Sequence, residues 1–441
     1  MKHLKVLLIN PFIYDFAAYN FWSKPLGLLY IGSILRKNGV HISLIDCLET
    51  DEKKKTEDGR GHYLKGKVNK PEALKMIHKP MRRYGISEEE LKKRIIRDEK
   101  PHLVLITSLM TYWYLGTVHV VNVIREVYPK TKIIVGGIYP SLCQEHARSS
   151  LNGVDLIVER NGLQKLYTYI EEEFSYPMWF KPGAYDLDDL PYPAFDLYEK
   201  IDFAPLLTSV GCIFKCTYCA TSYLCPKIKK RNTENVINEV LYWISLGVKR
   251  FVLYDDCFLH DKEEHAVLIL KRLKNLKESM EIFNPNALNA AFIDSKIAEL
   301  LFASGFREVR IGLESTNPKF QKETGGKIDN SSFKNAVKFL KSAGFSQKNI
   351  HVYLLAGLPF QRWEEVKEAI DYVVDMGCTP HLAEYAPCPH TEMFEKYKKF
   401  SRFPLEEEPL FQNNSLFPFA WSGFSEEDLQ FLKSYLKEKI Q

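Results

Sequence analysis

The sequence predicts an α/β protein in which two series of strands alternate with helices, the first forming a parallel sheet and the second an open barrel. Short apolar runs of strand length are separated throughout by helix-length segments whose apolar residues share one face. The alternation is interrupted once, by the proline-rich stretch Pro177–Pro205. A chain of 441 residues has the length of two or three domains.

The composition is that of an ordinary globular protein, with 45% hydrophobic and 26% charged residues. Sixty basic and 56 acidic residues leave a net charge of +4, which does not favour a nucleic-acid partner or a membrane surface. No apolar run reaches the ~18 residues of a membrane-spanning helix, and Leu4–Ile9 is too short for a signal-peptide core. We therefore expect a cytoplasmic protein, and not a transporter, a secreted disulfide scaffold or a disordered tail protein.

The first series predicts a Rossmann-like domain over residues 1–175. Between its second and third strands lies an insertion, residues 48–100, that is longer than a crossover needs. We expect its charge run, Asp51–Lys55, to be solvated, and its Arg/Gly/Tyr segments, 59–63 and 82–85, to lie at the carboxyl edge of the sheet, where ligands bind. The predicted strands are Lys5–Ile9, Val40–Ile45, Leu103–Ile106, Lys132–Val135 and Leu156–Val158.

The second series predicts a partial (β/α)6 barrel over residues 206–396, after a linker at 176–205. Six repeats do not close an eight-stranded barrel, but they form an open one with ligands at the carboxyl ends of the strands. The tail, 397–441, is predicted to become helical from Glu426 to Ile440. The predicted barrel strands are Leu206–Val210, Arg250–Tyr254, Ile282–Leu288, Glu308–Ile311, His351–Leu355 and Leu382–Ala386.

Three of the nine cysteines form a C-x3-C-x2-C pattern directly after the first barrel strand: Cys212, Cys216 and Cys219. Three thiolates from one loop can hold three irons of a 4Fe–4S cluster and leave the fourth iron without a protein ligand, as a catalytic metal requires. The alternative is a zinc site with Cys225 as the fourth ligand, although zinc sites favour paired C-x2-4-C spacings from two loops. The scattered cysteines, Cys257 and Cys388 among them, are expected to be inert and buried.

With these cysteines, the short motifs at later strand ends resemble the radical SAM superfamily. Tyr254-Asp255-Asp256 ends strand two, Ile311-Gly312-Leu313-Glu314-Ser315 is similar to the family's "GIES" element, and Gly357-Leu358-Pro359 to its "GLP" turn. Pro387–Thr391 resembles "P-x-P-G-T", with His390 in place of glycine, and Arg231 stands where many relatives carry an arginine. The resemblance implies a 4Fe–4S cluster that binds and reductively cleaves S-adenosylmethionine (SAM), and an electron donor such as flavodoxin or ferredoxin.

The resemblance also implies which residues contact SAM. Asp256 and Glu314 are expected at the carboxyl ends of their strands, facing the SAM site. For Asn286 and Asn289 a backbone-capping role is equally open, and Gly357 and Pro359 are as easily explained by the shape of their turn. The implied SAM contacts are Tyr218, which could stack on adenine, Asp256, Asn286, Asn289, Glu314, Gly357 and Pro359.

The first domain resembles the N-terminal cobalamin-binding domain of one radical SAM subfamily. Small and hydroxyl residues at the ends of strands three and four are implied to line the cobalamin tail: Thr107, Ser108, Gly136 and Gly137. The family's cobalt-ligating D-x-H-x-x-G pattern is absent, because Asp46–Thr50 contains no histidine. We expect cobalamin between the two domains with no imidazole from this loop below cobalt; His62 in the insertion is the candidate substitute.

The function predicted from these features is that of a radical SAM enzyme, a cobalamin-dependent methyltransferase that acts on an unactivated carbon of a small-molecule or lipid-like substrate. One alternative is a cobalamin-independent radical SAM enzyme, catalysing carbon–carbon coupling or rearrangement, whose N-terminal domain docks the substrate. Another is a non-enzymatic iron–sulfur protein, which would usually need four cysteine ligands. No catalytic residue beyond the cofactor contacts can be named from the sequence.

Overall fold

A computed structural model describes residues 4–97, 99–276 and 279–440 of the chain. They form two compact units. The first extends to Ile201 and includes Leu405–Gln412, whereas the second comprises Asp202–Pro404 and the chain from Asn413. Residues 176–201 of the predicted linker therefore fold with the first unit.

The first unit is built on a five-stranded parallel sheet with strand order β10-β9-β8-β1-β3. In order along the chain, these strands pair as 2-1-3-4-5, which is a doubly wound order with its switch point between β1 and β8. The strands of the unit are β1 (Lys5–Asn10), β2 (Ile13–Asp15), β3 (His41–Asp46), β4 (Thr50–Lys55), β5 (Gly61–Tyr63), β6 (Lys65–Lys67), β7 (Arg82–Tyr84), β8 (Leu103–Ser108), β9 (Lys132–Gly137) and β10 (Leu156–Val158). Its helices are α1 (Leu26–Lys37), α2 (Glu88–Arg97), α3 (Tyr114–Val127), α4 (Ile138–Leu142), α5 (Gln144–Ser150) and α6 (Leu163–Phe174).

The central strands of this sheet are covered on both faces. Leu8, Val104 and Val135 have no exposed surface, which explains why their strands are continuous apolar runs without alternation. The sequence predicted all five strands of this sheet. It missed the short α4, which begins at Ile138 directly after Gly137.

The insertion contributes structure of its own. Strands β4 and β5 form an antiparallel pair, and β2, β7 and β6 form a three-stranded antiparallel sheet. As expected, the middle of the charge run, Glu52–Lys54, is exposed. The backbone amide of Ile86 donates to the carbonyl of Cys47 at 2.9 Å, which joins the end of β7 to the carboxyl end of β3. The Arg/Gly/Tyr segment at 82–85 therefore lies at that edge of the sheet, as the sequence predicts.

The second unit contains the six predicted barrel strands in two parallel sheets, β11-β14-β15 and β16-β17-β18-β19. Its strands are β11 (Ala204–Leu206), β12 (Ser209–Val210), β13 (Lys229–Lys230), β14 (Arg250–Leu253), β15 (Glu281–Phe283), β16 (Leu288–Asn289), β17 (Val309–Glu314), β18 (Ile350–Ala356) and β19 (Thr379–Glu384). Its helices are α7 (Thr221–Leu224), α8 (Thr233–Ser245), α9 (Ala266–Lys274), α10 (Ser295–Ala303), α11 (Pro318–Glu323), α12 (Asn330–Ala343), α13 (Trp363–Asp375), α14 (Glu392–Tyr397) and α15 (Glu426–Ile440).

Two predicted barrel strands are divided in the structure. The first becomes β11 and β12, because the amide of Thr208 bonds the Asp255 carboxylate instead of a neighbouring strand. The third becomes β15 and β16, because the Asn284 side chain exchanges hydrogen bonds with the Arg310 backbone, with distances of 2.9 and 3.2 Å, in place of the ladder. In the described residues, no helix has the length and apolar character needed to cross a membrane.

We expect Gly116→Ala to destabilise the first unit strongly. A Cβ added to Gly116 on α3 would lie 1.8 Å from the carbonyl oxygen of Phe12, so helix and loop must separate. Overpacking of this kind costs about 1–3 kcal/mol or more. The matched control is Gly27→Ala on α1, where a Cβ meets nothing within 4 Å and helix propensity rises by up to about 1 kcal/mol. Thermal unfolding measures both; equal melting temperatures in the two variants would contradict the close approach.

Candidate functional site

The cysteine loop begins at a buried network of hydrogen bonds. Asp255, at the end of β14, accepts from the amide of Thr208 at 3.0 Å and from the hydroxyls of Thr208 and Ser209 at 2.6 and 2.5 Å. The Thr208 hydroxyl also contacts His265 Nε2 at 2.8 Å. Burial raises the pKa of Asp255 to about 6 and lowers the pKa of His265 to about 4. A neutral imidazole can therefore donate to Thr208, which in turn donates to the carboxylate.

Asp256 fixes the next turn of the chain. Its Oδ2 accepts from the amide of Gly211 at 2.9 Å, immediately before Cys212. Gly211 has φ +84°, and a Cβ there would lie 2.5 Å from the carbonyl oxygen of Lys227, so glycine is required. Burial raises the pKa of Asp256 above its usual value. The structure thus places Asp256 at the carboxyl end of its strand, beside the cysteine loop.

The three cysteines lie on the loop between β12 and α7. Cys212 and Cys216 are partly buried and Cys219 is exposed. Gly325, with φ +130°, packs against this loop so closely that a Cβ would lie 3.4 Å from Cys216 Sγ. Beside Cys216, the Thr217 hydroxyl is buried without a hydrogen-bond partner among the described residues. Three free thiols on one loop, with a glycine where a side chain would approach Cys216 Sγ, fit a 4Fe–4S cluster with one iron open.

The remaining nearby cysteines differ in their contacts. Cys225 donates to the carbonyl of Lys227 at 3.2 Å. A hydrogen bond from Cys257 lowers the pKa of Cys212, which favours the thiolate form that binds metal. Across the part of the chain that the structure describes, no three His, Cys, Asp or Glu side chains are grouped closely enough to hold a single metal ion. In a 4Fe–4S cluster the three thiolates bind different irons.

A partly buried ion pair adjoins the cysteine loop. Lys327 Nζ lies 2.6 Å from Glu314 Oε1, and the ammonium is 5.8 Å from the centre of the Tyr218 ring. Burial lowers the pKa of Lys327, but Glu314 and Cys216 outweigh this and raise it above the usual value. Glu314 has φ +66° at the end of β17, and a Cβ on Gly312 would lie 2.7 Å from its Oε1. Glycine at 312 therefore leaves room for the carboxylate.

The two predicted asparagines connect strand ends to this site. Asn286 donates to the carbonyls of Tyr254 and Asp255 at 3.0 and 3.2 Å. Asn289 donates to the carbonyl of Lys327 at 3.1 Å and accepts from the amide of Ala291. Both side chains cap backbone, which is the role that the sequence left open beside SAM contact. Through them the ends of β14 and β16 and the Lys327 loop are tied together.

The last two motifs are placed differently. Gly357 has φ +83°, and its missing side chain leaves space for Phe417, whose ring would lie 2.3 Å from a Cβ. The Gly357 amide also donates a hydrogen bond to the Gln361 side chain. These two contacts explain the shape of the turn, in which Pro359 is the second residue after Gly357. His390 keeps the left-handed φ, +64°, that glycine usually provides. Its ring stacks on Tyr223 at 4.1 Å, which offsets the strain of that backbone conformation.

Sequence reasoning missed a polar layer on the barrel strands. Alternate residues of β18, Val352 and Leu354, are fully buried, so His351 and Tyr353 point to the opposite face. There His351 Nδ1 lies 2.8 Å from His381 Nε2, and the Tyr353 hydroxyl donates to the carbonyl of Pro285 at 3.0 Å. Arg310 is 2% exposed and bonds Glu308 at 2.7 Å. This layer supports the Pro285–Asn289 segment from below.

Arg231 has a structural role, and Lys327 is a site residue that the sequence did not reveal. Arg231 is buried, pairs with Glu239 at 2.5 Å and donates to the carbonyl of Leu207, so it fastens α8 to the start of the cysteine loop. Lys327 was not singled out, although Gly325-Gly326-Lys327 is a signal that a cation is carried on a close-packed loop.

In the first unit, the ends of β8 and β9 form an open edge. The Ser108 hydroxyl is buried and has no hydrogen-bond partner among the described residues. Gly137 has φ +116°, and a Cβ there would lie 2.2 Å from the carbonyl oxygen of Ser108; a Cβ on Gly136 would lie 3.3 Å from that of Val158. Thr107 pairs in register with Gly136. An unpartnered hydroxyl beside two glycines fits a bulky nucleotide-bearing cofactor such as cobalamin.

The loop after β3 is occupied by structural contacts. Asp46 accepts from Asn10, from the amide of Leu48 and from the Tyr198 hydroxyl, at 2.7–2.9 Å. Burial raises the pKa of Cys47, which makes it a poor ligand. His62, on the neighbouring β5, is exposed and meets the Tyr19 ring edge-on at 5.1 Å.

Two family models match separate ranges of the chain. Residues 206–373 match the radical SAM superfamily, and residues 84–165 match the B12-binding domain. These ranges contain the cysteine loop with Lys327 and the β8–β9 edge, respectively. The first matched range begins at β11, and the second contains three of the five strands of the parallel sheet.

The chain shares low sequence identity with the following proteins and solved structure. The chain is 22% identical to cytidylyl-2-hydroxyethylphosphonate methyltransferase of Streptomyces wedmorensis, over 85% of this chain and 78% of that protein. It is also 22% identical to an uncharacterized methyltransferase of Pyrococcus horikoshii, over 100% and 90%. Its fold resembles the radical S-adenosylmethionine methyltransferase TsrM of Kitasatospora setae, solved with cobalamin and a [4Fe-4S] cluster, with a TM-score of 0.66 at 16% identity, covering 90% of this chain and 78% of that one.

Replacement of Cys212, Cys216 or Cys219 by Ala should abolish the cluster, because each thiolate is the protein ligand of a different iron. Iron and sulfide content after anaerobic reconstitution, with the visible spectrum, measures the loss. Cys225→Ala is the matched control and should keep its cluster, since Cys225 bonds the Lys227 carbonyl. Loss of iron in the Cys225 variant would instead favour a four-thiolate structural site.

Proposed function

Because this chain contains a radical SAM domain and a B12-binding domain, we propose that it is a cobalamin-dependent radical SAM methyltransferase that acts on an unactivated carbon of a small molecule. The observation that carries the proposal is the pairing, in one chain, of the cysteine loop at a barrel strand end with the glycine-lined edge at Ser108. Distant relatives named as methyltransferases support it. When bound, the cluster supplies the electron that cleaves SAM, and cobalamin carries the methyl group.

The chain's own residues bind and orient SAM. Cys212, Cys216 and Cys219 hold three irons, and the open iron is left to the SAM amino and carboxyl groups. Glu314 and Lys327, fixed beside Cys216, present one negative and one positive group to these two charged ends. The Tyr218 ring, largely buried beside Lys327, offers a flat apolar surface for adenine.

Hydrogen bonds from neighbouring strand ends fix the elements of this site. Asp255 and Asp256 hold the start of the cysteine loop from below. Asn286 and Asn289 hold the adjoining strand ends. We also assign the protein to the cytoplasm, with a flavodoxin or ferredoxin as the reductant, because a 4Fe–4S cluster that cleaves SAM needs reducing conditions.

The function is tested with anaerobically reconstituted protein loaded with hydroxocobalamin, then supplied with reductant and methyl-labelled SAM. Formation of both 5′-deoxyadenosine and S-adenosylhomocysteine would support methyl transfer with radical chemistry. Production of 5′-deoxyadenosine by protein that retains no cobalamin would instead favour the cobalamin-independent alternative. The observation that motivates this alternative is the missing cobalt-ligating histidine after β3. Absence of any SAM cleavage would leave an iron–sulfur protein.

Lys327→Met should weaken SAM binding without loss of the cluster. Removing a charge-assisted contact costs about 1.5–3 kcal/mol, or roughly tenfold or more in Kd. Equilibrium binding of SAM and iron content are both measured. The control is Lys319→Met on α11, whose side chain is 82% exposed. Equal losses of iron and SAM binding in the Lys327 variant would show a purely structural role.

The cobalt(II) state should show no coordination by a protein nitrogen, since Asp46–Thr50 offers no imidazole. Electron paramagnetic resonance with 15N-labelled protein and unlabelled cobalamin separates protein nitrogen from the cofactor's own base. His62→Ala should leave the spectrum unchanged, as should the control His78→Ala, another exposed histidine of the insertion. A 15N splitting that disappears only in His62→Ala would identify His62 as the ligand.

A further inference from the structure

The insertion of the first unit contains a cavity that the proposed chemistry does not use. It has a volume of about 890 Å³ and is formed by β6, β7 and the segment that connects them. Four of its lining side chains are cationic, and none is acidic: Lys67, Lys70, Lys75 and Arg82. We call it the basic cavity. Its volume lies within the range of small-molecule sites, about 300–1,000 Å³.

Two of the cations in the basic cavity are placed where their repulsion destabilises the folded sheet. Lys67 and Arg82 lie directly opposite each other in the antiparallel register of β6 and β7, an arrangement in which like charges destabilise a sheet. No ion pair joins either residue to a carboxylate within the described ranges. Asp15 lies opposite Arg82 on the other side of β7, but it bonds the Trp113 indole at 2.6 Å and does not line the cavity.

The basic cavity is built on a fixed segment rather than a loose loop. Leu74 and Met81, at the middle and at the end of the segment between β6 and β7, are 1% and 4% exposed, so the segment is anchored at both points. Lys70 donates to the carbonyl of Ile77, which closes the loop across the cavity. Among the four cations, Lys75 alone has an acidic partner within the described part of the chain, namely Glu72, one helical turn away. The cations are therefore held near one another before any ligand binds.

We propose that the basic cavity binds a small polyanion that carries phosphate or phosphonate groups. A dianionic or more highly charged group would relieve the repulsion between Lys67 and Arg82 and accept hydrogen bonds from both. The cobalamin phosphodiester, with one negative charge, does not need four cations. A nucleic acid is disfavoured because the whole chain has a net charge of only +4 and the cations surround one concave site. The inference stands without the proposed methyl transfer.

The test is calorimetric titration of inorganic pyrophosphate, and separately of methylenediphosphonate, into cobalamin-loaded full-length protein in a phosphate-free buffer. We expect saturable binding at one site, weakened by salt. Lys67→Gln and Arg82→Gln should each weaken it about tenfold or more, because each removes a charge-assisted contact. Lys93→Gln, an exposed lysine of α2 outside the cavity, is the control and should not change it.

The unfolding temperature and cobalamin content of each variant are also measured, so that a loss of binding can be distinguished from a loss of folding or of cofactor. Without a ligand, Lys67→Gln should unfold at the same temperature as the wild type or higher, because it removes cross-strand repulsion, and its cobalamin content should be unchanged. Absence of saturable binding, or equal affinity in all variants, would overturn the proposal. So would loss of cobalamin in the cavity variants, which would assign the cavity to the cofactor, or displacement of pyrophosphate by an RNA oligonucleotide at equal concentration. SAM cleavage is measured separately, so neither failure implies the other.

Discussion

The cysteine loop depends on one buried carboxylate, that of Asp255. A buried carboxylate is costly, and here three donors from Thr208 and Ser209 compensate it. Since both residues lie within four positions before Cys212, the same bonds that satisfy the charge also fix where the loop begins. Asp256 repeats the arrangement one residue further along, at Gly211. The cysteine loop is thus positioned by two carboxylates at the end of the neighbouring strand β14.

Both units gather their polar groups at the carboxyl ends of parallel strands, but they use that edge differently. In the barrel the strand ends carry side chains that bond the backbone of neighbouring segments, as Asn289 donates to the Lys327 carbonyl. In the first unit the edge is stripped of side chains at Gly136 and Gly137, and the Ser108 hydroxyl is left without a partner. A small ligand that is held by charge fits the first arrangement. A large cofactor that must approach the backbone fits the second.

The sequence predicted the elements well because parallel strands covered on both faces are continuous apolar runs, as Leu103–Ser108 shows. It failed where a side chain replaces a backbone partner: Asn284 divides one predicted strand, and Thr208 divides another. Neither replacement of a backbone partner by a side chain changes the pattern of hydrophobic residues in the sequence. The cysteine positions followed from their spacing alone, whereas Lys327 did not, since its role arises only when a glycine turn brings it to Cys216.

Electrostatics explains why that lysine belongs at the site. Three thiolates together with Glu314 and Asp256 place much negative charge in a poorly solvated space, and each raises the free energy of the others. Lys327 lies 2.6 Å from Glu314 and near enough to Cys216 for the two to shift each other's pKa. It offsets part of the repulsion among the ligands, and it does so from a side chain whose ammonium can also meet a carboxylate. The group that balances the charge of the ligands is therefore suited to orient the molecule that binds beside them.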